Sequence, residues 1–465
     1  MDKIISLIND ALYSYILIIV LIAGGLYFTL RTRFVQFRLF KEQVRSVTEK
    51  PTEKGGVSSF QALMVSTASR VGTGNIIGVS TAICLGGYGA VFWMWVTALI
   101  GSASAFIEST LAQIYKRKGP DGAYGGPSYY IETALKSRPL AIIFSVFLII
   151  TYGFGFNMLA SYNLQSTFSS YKFYDEKITP IIIGVILAVM VAYCLLGGGK
   201  RLIKATSLLV PVMGIAYILL AIIITVVNYK LLPSVLSKIF SEAFNFKAIF
   251  AGFGGSAIMY GIKRGLFSNE AGVGSAPNAS ASAEVLHPVK QGLVQVLSVF
   301  IDTILVCSAS AFMCLCSGVE PSELLSGAPY VQACLTKALG AVGPIFITVA
   351  MVLFAFTTLL GNLYYVDQCV FFIMKKKPSQ KLEVLFHIIA SLLVFVGAVL
   401  SADLLWNIAD ITMGAMTLIN MPVIIILSKY AISALKDYDN KLKKGVTPVF
   451  KASDINLPHK VDYWN

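Results

Sequence analysis

Two clusters of glycine lie inside long apolar runs, where ordinary helix would be expected. The first reads Ser66-Thr67-Ala68-Ser69-Arg70-Val71-Gly72-Thr73-Gly74-Asn75-Ile76-Ile77-Gly78. The second reads Phe253-Gly254-Gly255-Ser256, then Tyr260-Gly261-Ile262-Lys263-Arg264-Gly265-Leu266-Phe267-Ser268-Asn269-Glu270-Ala271-Gly272. Backbone that leaves a helix away from water must find partners in protein, in a wet cavity or in a ligand. Isolated glycines would read as close helix packing. Two clusters, each joined to hydroxyl, amide and basic side chains, point instead to broken helices at a binding site. Ser268 or Asn269 is expected to N-cap a second half-helix. The ionisable groups at the same depth are Arg70, Lys263, Arg264, Glu108, Glu270, Asp302 and Asp367. A carboxylate inside a membrane span is a functional candidate, and for Asp302 a structural pairing with Lys263 or Arg264 stands equally open. Glu108, Glu270 and Asp367 are expected to pair with Arg70, Arg264 or helix ends, some as gating links.

Other chemistries lack their residues. The seven cysteines are scattered singly with no CxxC pair, and the three histidines, His287, His387 and His459, have no ligand spacing. Disulfide scaffold and zinc centre are therefore poor readings. Gly197-Gly198-Gly199-Lys200 lacks both the first glycine and the final hydroxyl of a phosphate loop, and Gly72-Thr73-Gly74 is half a dinucleotide motif with no strand before it. A membrane enzyme would need a catalytic cluster, and a channel would need a repeated filter loop. Neither pattern occurs.

The elements that must hold these residues are membrane spans. The 465 residues are 56% apolar and 13% charged, where a soluble domain carries about 25% charged residues. Crossing ~30 Å of hydrocarbon takes roughly 20 mainly apolar residues. Eleven stretches qualify: 11–30, 57–84, 88–114, 140–167, 179–197, 205–228, 247–283, 291–317, 341–373, 383–401 and 404–428. The first is not expected to be a cleavable leader, because its start is long and acidic and RTRF follows the apolar run. Residues 318–340 are expected to form a structured surface loop with a short helix.

With 31–56 placed in the cytoplasm, 27 of the 37 basic residues fall inside and seven outside. Basic loops favour the cytoplasmic side, so the N-terminus is expected outside and the C-terminus inside. Setting the first stretch aside, the two broken spans each begin a set of five. Five is odd, so the sets enter the membrane from opposite sides, as in an inverted-repeat transporter. The expected parts are 1–56, an N-terminal helix and basic loop; 57–228, the first five-helix repeat; 247–429, the inverted second repeat; and 430–465, a cytoplasmic tail. The expected class is an all-α integral membrane protein of eleven transmembrane helices.

The blocks VGTGNIIGVSTAICLGGYGAVFWMWVTALIGSASAFIESTLAQIYK (71–116), DGAYGGPSYYI (121–131) and RGLFSNEAGVGSAPNASASAE (264–284) resemble the alanine or glycine:cation symporters. The resemblance covers nearly the whole chain in order. It implies a leucine-transporter (LeuT) type five-plus-five inverted repeat preceded by one extra helix. It also implies sodium-coupled, in some members proton-coupled, uptake of a small neutral amino acid, alanine or glycine, across the cell's plasma membrane. The implied partners are that amino acid, Na+ and membrane lipid; nucleic acid and organic cofactors play no part, and a monomer suffices.

Carried onto this chain, the resemblance directs a substrate carboxylate to bare N–H groups near Gly74. Gly72 admits the close approach, and Thr73 and Asn75 add side-chain hydrogen bonds. Carbonyls freed around Gly261–Gly265 would take the ammonium, and Phe267 would wall the pocket. A sodium site is implied at the carbonyls of Ala68 and Val71 with the hydroxyls of Thr357 and Thr358. Adjacent threonines in a span commonly bond back to their own helix instead. Asn75 and Asp302 are candidates for a second cation site. Two positions depart from the family pattern: Ala160 stands where a glutamine often faces substrate, and Asn362 where some members place tryptophan. Those departures leave a glutamine or other neutral amino-acid carrier as the alternative.

Overall fold

A chain this apolar must satisfy its own backbone, and it does so almost wholly with helices. The computed structural model describes residues 9, 11–51, 55–119, 122–196, 198–244, 257–375 and 379–464. Its principal helices are α1 (Leu17–Arg31), α2 (Ser59–Arg70), α3 (Ile77–Gly86), α4 (Gly89–Ile114), α5 (Arg138–Ser166) and α6 (Thr179–Leu195). They continue with α7 (Gly198–Val227), α8 (Ala257–Asn269), α9 (Pro288–Leu315), α10 (Val342–Met374), α11 (Gln380–Val399) and α12 (Ala402–Lys443).

Among the described residues seven of these, α4, α5, α7, α9, α10, α11 and α12, are long and apolar enough to cross a membrane. Each of the eleven predicted stretches contains helix. Phe253-Gly254-Gly255-Ser256 and the predicted start of the second repeat at 247 lie outside the described residues. The 318–340 segment holds the expected helix, Ala328–Leu339. One departure from all-helical structure is a small antiparallel hairpin, Arg117–Gly119 with Gly122–Tyr124, between α4 and α5.

Burial separates the helices into a centre and a rim. The most apolar windows of α4 and α10 are 61% buried, those of α7 and α11 only 28%. The rim helices turn Leu208, Val212, Ile215 and Leu392 outward, a surface suited to lipid and unsuited to water.

Both predicted breaks occur. A capping box starts α2, with the Ser58 hydroxyl accepting the Gln61 N–H at 3.1 Å and the Gln61 side chain accepting the Ser58 N–H at 2.9 Å. After Arg70 the chain opens through Val71 and an extended Gly72, makes a single 3-10 turn at Thr73–Asn75, and re-enters helix at Ile77. A Cβ on Gly72 would overlap the Thr358 hydroxyl.

The second break falls later than expected. α8 runs unbroken through Gly261 and Gly265, and Ser268 and Asn269 form its last turn rather than an N-cap. Glu270 then takes a left-handed conformation (φ 53°), followed by Gly272 and Gly274 at φ 86° and 90°. The Glu270 N–H still reaches the Leu266 carbonyl at 2.9 Å, so the freed carbonyls belong to the last turn of α8. Gly261 and Gly265 instead let α8 press against α4. A Cβ on Gly261 would meet the Ala90 carbonyl oxygen and Trp93 Cβ at 2.5 Å, and one on Gly265 the Thr97 hydroxyl at 2.8 Å.

Gly261→Ala should therefore lower unfolding stability by roughly 1–3 kcal/mol through overpacking. Gly214→Ala on α7, where a Cβ meets nothing within 4 Å, should be neutral or gain up to ~1 kcal/mol of helix preference. Thermal unfolding of the purified variants distinguishes the two.

Candidate functional site

The two breaks meet through the side chain of Asn75. Its amide oxygen accepts the Gly72 N–H at 2.8 Å, closing the first break upon itself. Its NH2 donates to Asp302 Oδ1 at 2.6 Å and to Ser268 Oγ at 3.1 Å. Ser268 and Thr303 donate to Asp302 Oδ2 at 2.6 and 2.7 Å, and Cys307 Sγ lies 3.0 Å from the Ser268 hydroxyl. Asn75, Ser268, Asp302 and Thr303 are all 0–1% exposed. Asp302, Thr303 and Cys307 come from a π-helical stretch of α9, Phe300–Cys307, and such widened turns recur at functional sites.

Of the two alternatives open for Asp302, the pairing with Lys263 or Arg264 does not form among the described residues. Lys263 and Arg264 share Asp410 of α12, at 2.9 and 3.4 Å. The Arg264 guanidinium also lies over the Trp406 ring, 3.9 Å from its centroid. Asp302 is left to neutral donors, so a cation at this carboxylate would replace or join polar hydrogens rather than compete with a resident charge.

Gly74 sits against Phe267, and a Cβ there would meet Phe267 Cε1 at 2.6 Å. The Phe267 ring packs between Phe156 and Trp406, with centroids 4.5 and 4.9 Å away. The N–H groups of Thr73 and Gly74 open the 3-10 turn, and the first donors of a helical turn have no partner inside it. Thr73 Oγ1 accepts the Asn163 amide at 3.1 Å. Phe267 and Gly74 are thus brought together, and Asn163 and Trp406 join them.

Ala160 is 1% exposed, on the helix that carries Asn163 one turn later. Asn362 is a tie rather than a pocket surface. It accepts the Ser69 hydroxyl at 2.6 Å, donates to Asn157 Oδ1 at 2.9 Å, and is 0% exposed. It thereby joins α10 to α2 and α5.

On the other side of the first break, α10 packs closely enough that a Cβ on Gly361 would meet the Ser69 N at 2.5 Å and the Ala68 carbonyl carbon at 3.1 Å. The Thr358 hydroxyl lies beside Gly72, buried and without a hydrogen-bond partner among the described residues. Thr357 donates to the Leu353 carbonyl at 2.9 Å, the back-bonded arrangement, which leaves its oxygen lone pairs unspent. An unpartnered hydroxyl beside the backbone break at Ala68–Gly72 is a donor set of hard, neutral oxygens, the kind that alkali and alkaline-earth cations take.

The remaining carboxylates hold the second break. Glu270 accepts from Ser69 at 3.1 Å and Ser275 at 2.6 Å. Glu108 accepts from Gly272 N–H at 3.4 Å and the Asn420 amide at 2.9 Å. Arg70 donates to Gln295 at 2.9 Å instead of pairing directly with either. Asp367 is not buried as expected: its side chain is 41% exposed and lies 3.6 Å from His387.

Asn75→Asp would bring a second carboxylate against Asp302. It should destabilise the fold by about 3 kcal/mol, the scale of an uncompensated buried charge. Asp302→Asn in the same chain restores one amide and one carboxylate, and should recover most of the lost unfolding temperature. Failure of that recovery would mean the contact does not carry the effect.

The sodium:alanine symporter family model matches residues 1–452. The amino-acid carrier protein AlsT of Bacillus subtilis is 42% identical over all of this chain and 97% of its own length. The probable sodium/glutamine symporter GlnT of the same organism is 40% identical, covering all of this chain and 96% of its own. The sodium/alanine symporter AgcS of Methanococcus maripaludis is 36% identical over 95% of this chain and 98% of its own. Among solved structures, MhsT in complex with L-phenylalanine aligns over 82% of this chain and 96% of its own at a TM-score of 0.56 and 15% identity, which is a likeness of fold alone. The match along nearly the whole length, with the two breaks meeting as described, places the chain in the sodium:alanine symporter family.

Proposed function

We propose that the chain carries a small neutral amino acid, alanine or glycine, into the cell together with sodium by alternating access. The observation that carries the reading is the junction of two helix breaks at Gly72–Asn75 and Ser268–Gly274, tied by Asn75 and Asp302. An amino-acid zwitterion needs a donor set for its carboxylate and an acceptor set for its ammonium. The N–H groups at Thr73 and Gly74 suit the first, and the last-turn carbonyls of α8 suit the second. Phe267 closes the apolar side around a small side chain. Sodium would sit among the carbonyls of Ala68 and Val71 and the hydroxyls of Thr357 and Thr358, ordering the first break against α10. Asn75 and Asp302 are the candidates for a second ion.

In this reading the membrane is crossed eleven times, N-terminus outside and C-terminus in the cytoplasm. Residues 57–228 and 247–429 form the two inverted repeats, after the N-terminal helix and basic loop of 1–56 and before the tail of 430–465. A monomer in the lipid of the plasma membrane suffices. The Asn163 amide on Thr73, with Ala160 in place of a longer side chain one turn earlier, favours glutamine as the second reading, as does the 40% identity to GlnT. A proteoliposome uptake panel of alanine, glycine, serine and glutamine, each with and without a sodium gradient, decides between them.

Replacing sodium by choline at fixed pH should abolish uptake. Thr358→Val should raise the sodium concentration for half-maximal uptake about tenfold, the effect of one lost ligand of ~1.4 kcal/mol. Thr357→Val should act more mildly, since its hydroxyl proton already serves its own helix. Equal effects of the two, or none, would move the ion elsewhere.

Gly74→Ala should remove detectable amino-acid binding by calorimetry in saturating sodium while the protein still inserts and folds. In a Phe267→Ala background the same change should cost far less, because the ring it would strike is gone. Independent, additive losses would show that Gly74 acts through something other than Phe267.

A further inference from the structure

α12 is longer than a membrane requires. Its 42 residues span about 63 Å at 1.5 Å per residue, twice the ~30 Å hydrocarbon core. The chain reverses at Gly445 (φ 70°) and returns across one end of the molecule without regular secondary structure apart from one 3-10 turn at Ala452–Asp454. An irregular tail would ordinarily be exposed, yet Phe450, Ile455, Val461 and Trp464 are 3–6% exposed.

Its anchors are specific. The Trp464 indole donates to the Gln113 carbonyl at 2.7 Å, and its own carbonyl accepts the Ala452 N–H at 2.7 Å. The Tyr463 hydroxyl bonds the Glu284 carboxylate. The Lys116 ammonium lies 3.8 Å from the centre of the Tyr463 ring and 4.9 Å from that of Trp464, close enough for cation–π attraction to both. Nearer its root, Phe450 N–H donates to the Leu286 carbonyl at 2.9 Å, and Lys441 bonds Asp437 and Asp454, each at 2.7 Å. Burial, with Lys441 and Lys290 nearby, holds His287 well below the usual imidazole range. Its neutral ring accepts the Val289 N–H at 3.2 Å and faces Asp437 at 3.2 Å.

What the tail grips is the link between the second break and α9. Gln113 and Lys116, at the end of α4, bond the Ala283 carbonyl, both at 2.9 Å. Glu284 N–H reaches Val57 O at 2.9 Å, just ahead of α2. The tail thus fastens α12 to the segment through which both broken stretches and α4 are joined. In an alternating-access carrier the broken helices must move relative to the rest, and this fastening resists that motion at the face holding the basic loops. The side chains of Tyr463 and Trp464 meet Gln113, Lys116 and Glu284, none of them a residue of the proposed transport site.

We propose that residues 446–464 form a releasable strap: bound, it holds this end of the carrier closed, and detachment of Tyr463 and Trp464 lets it open and sets the turnover rate. The proposal rests on the alternating-access reading for its effect on turnover, but not for the detachment itself. Opening steps commonly limit such cycles, and a contact made only in the closed state shifts the balance by its own strength.

The test compares the full chain with Tyr463→Ala/Trp464→Ala in two measurements. In purified protein carrying Ala283→Cys, whose side chain is buried in the parent as are all seven native cysteines, the rate of labelling by a maleimide should rise about fivefold, the shift expected when two hydrogen bonds at the low end of the usual range are lost together. In proteoliposomes the maximal rate of sodium-driven uptake should rise, with unchanged half-saturation for sodium and amino acid. Unchanged labelling overturns the strap, and raised labelling with an unchanged or lower maximal rate overturns its role in turnover. If the double variant does not fold, Trp464→Phe keeps the ring and removes the bond to Gln113; both rates should then rise about twofold, and no rise overturns the proposal. A parent without any uptake, whose labelling still answers to the strap, counts against the transport reading and for the strap.

Discussion

The Asn75 amide bonds across both helix breaks, and the rest of the site is arranged around it. Its oxygen takes the N–H that Gly72 loses when α2 ends, and its NH2 meets Asp302 and Ser268. A backbone break is tolerable at membrane depth only if its polar groups are met by protein. One planar side chain does this for the first break and simultaneously reaches the last turn of α8 and the π-helical stretch of α9. A carboxylate that accepts three neutral hydrogen bonds at 2.6–2.7 Å is held firmly, with no basic side chain bonded to it among the described residues.

The rest of the interior follows from keeping fixed charge away from that junction. Lys263 and Arg264 are drawn to Asp410, and the Arg264 guanidinium is covered by Trp406. Glu270 and Glu108 are spent on the strained turns after α8, where left-handed backbone at Glu270, Gly272 and Gly274 leaves N–H groups and hydroxyls to be met. Around the Asp302 carboxylate the centre is lined by neutral polar side chains and backbone, as the proposed zwitterion and monovalent ion require. A region of strong net charge would bind either too selectively or too tightly to release.

Packing decides how these parts are held. α4 is the common support: α8 reaches it through Gly261 and Gly265, and α9 lies along it as well. α10 approaches α2 at Gly361 so closely that backbone meets backbone, which puts Thr358 beside Gly72. The tail after α12 then bridges the end of α4, through Trp464 and Gln113, to the link before α9, through Tyr463 and Glu284. Small residues therefore act in two distinct ways here. At Gly72 and Gly74 they make room at the break; at Gly261, Gly265 and Gly361 they bring unbroken helices into contact.

The sequence alone determined that the chain lies in a membrane, where the helical stretches run, and that residues 72–75 interrupt one of them. These are properties of local composition: apolar length, basic loops, and glycines that cannot hold a helix where partners are missing. It also marked Asn75 and Asp302 as polar residues in unusual places, while Phe267 and Thr358 were singled out by the family resemblance. Only the tertiary structure decided which of them meet. Whether Asp302 faces Lys263 or Asn75 depends on a π-helical turn that rotates α9, and no residue type announces that turn. Whether Gly261 breaks α8 or packs it depends on α4 lying 2.5 Å from its absent side chain. Ser69, Asn157, Asn163 and Trp406 carried no signal of their own, since each is ordinary in a helix. Their roles come from partners 90 or more residues away, and such pairings are set by how the helices pack.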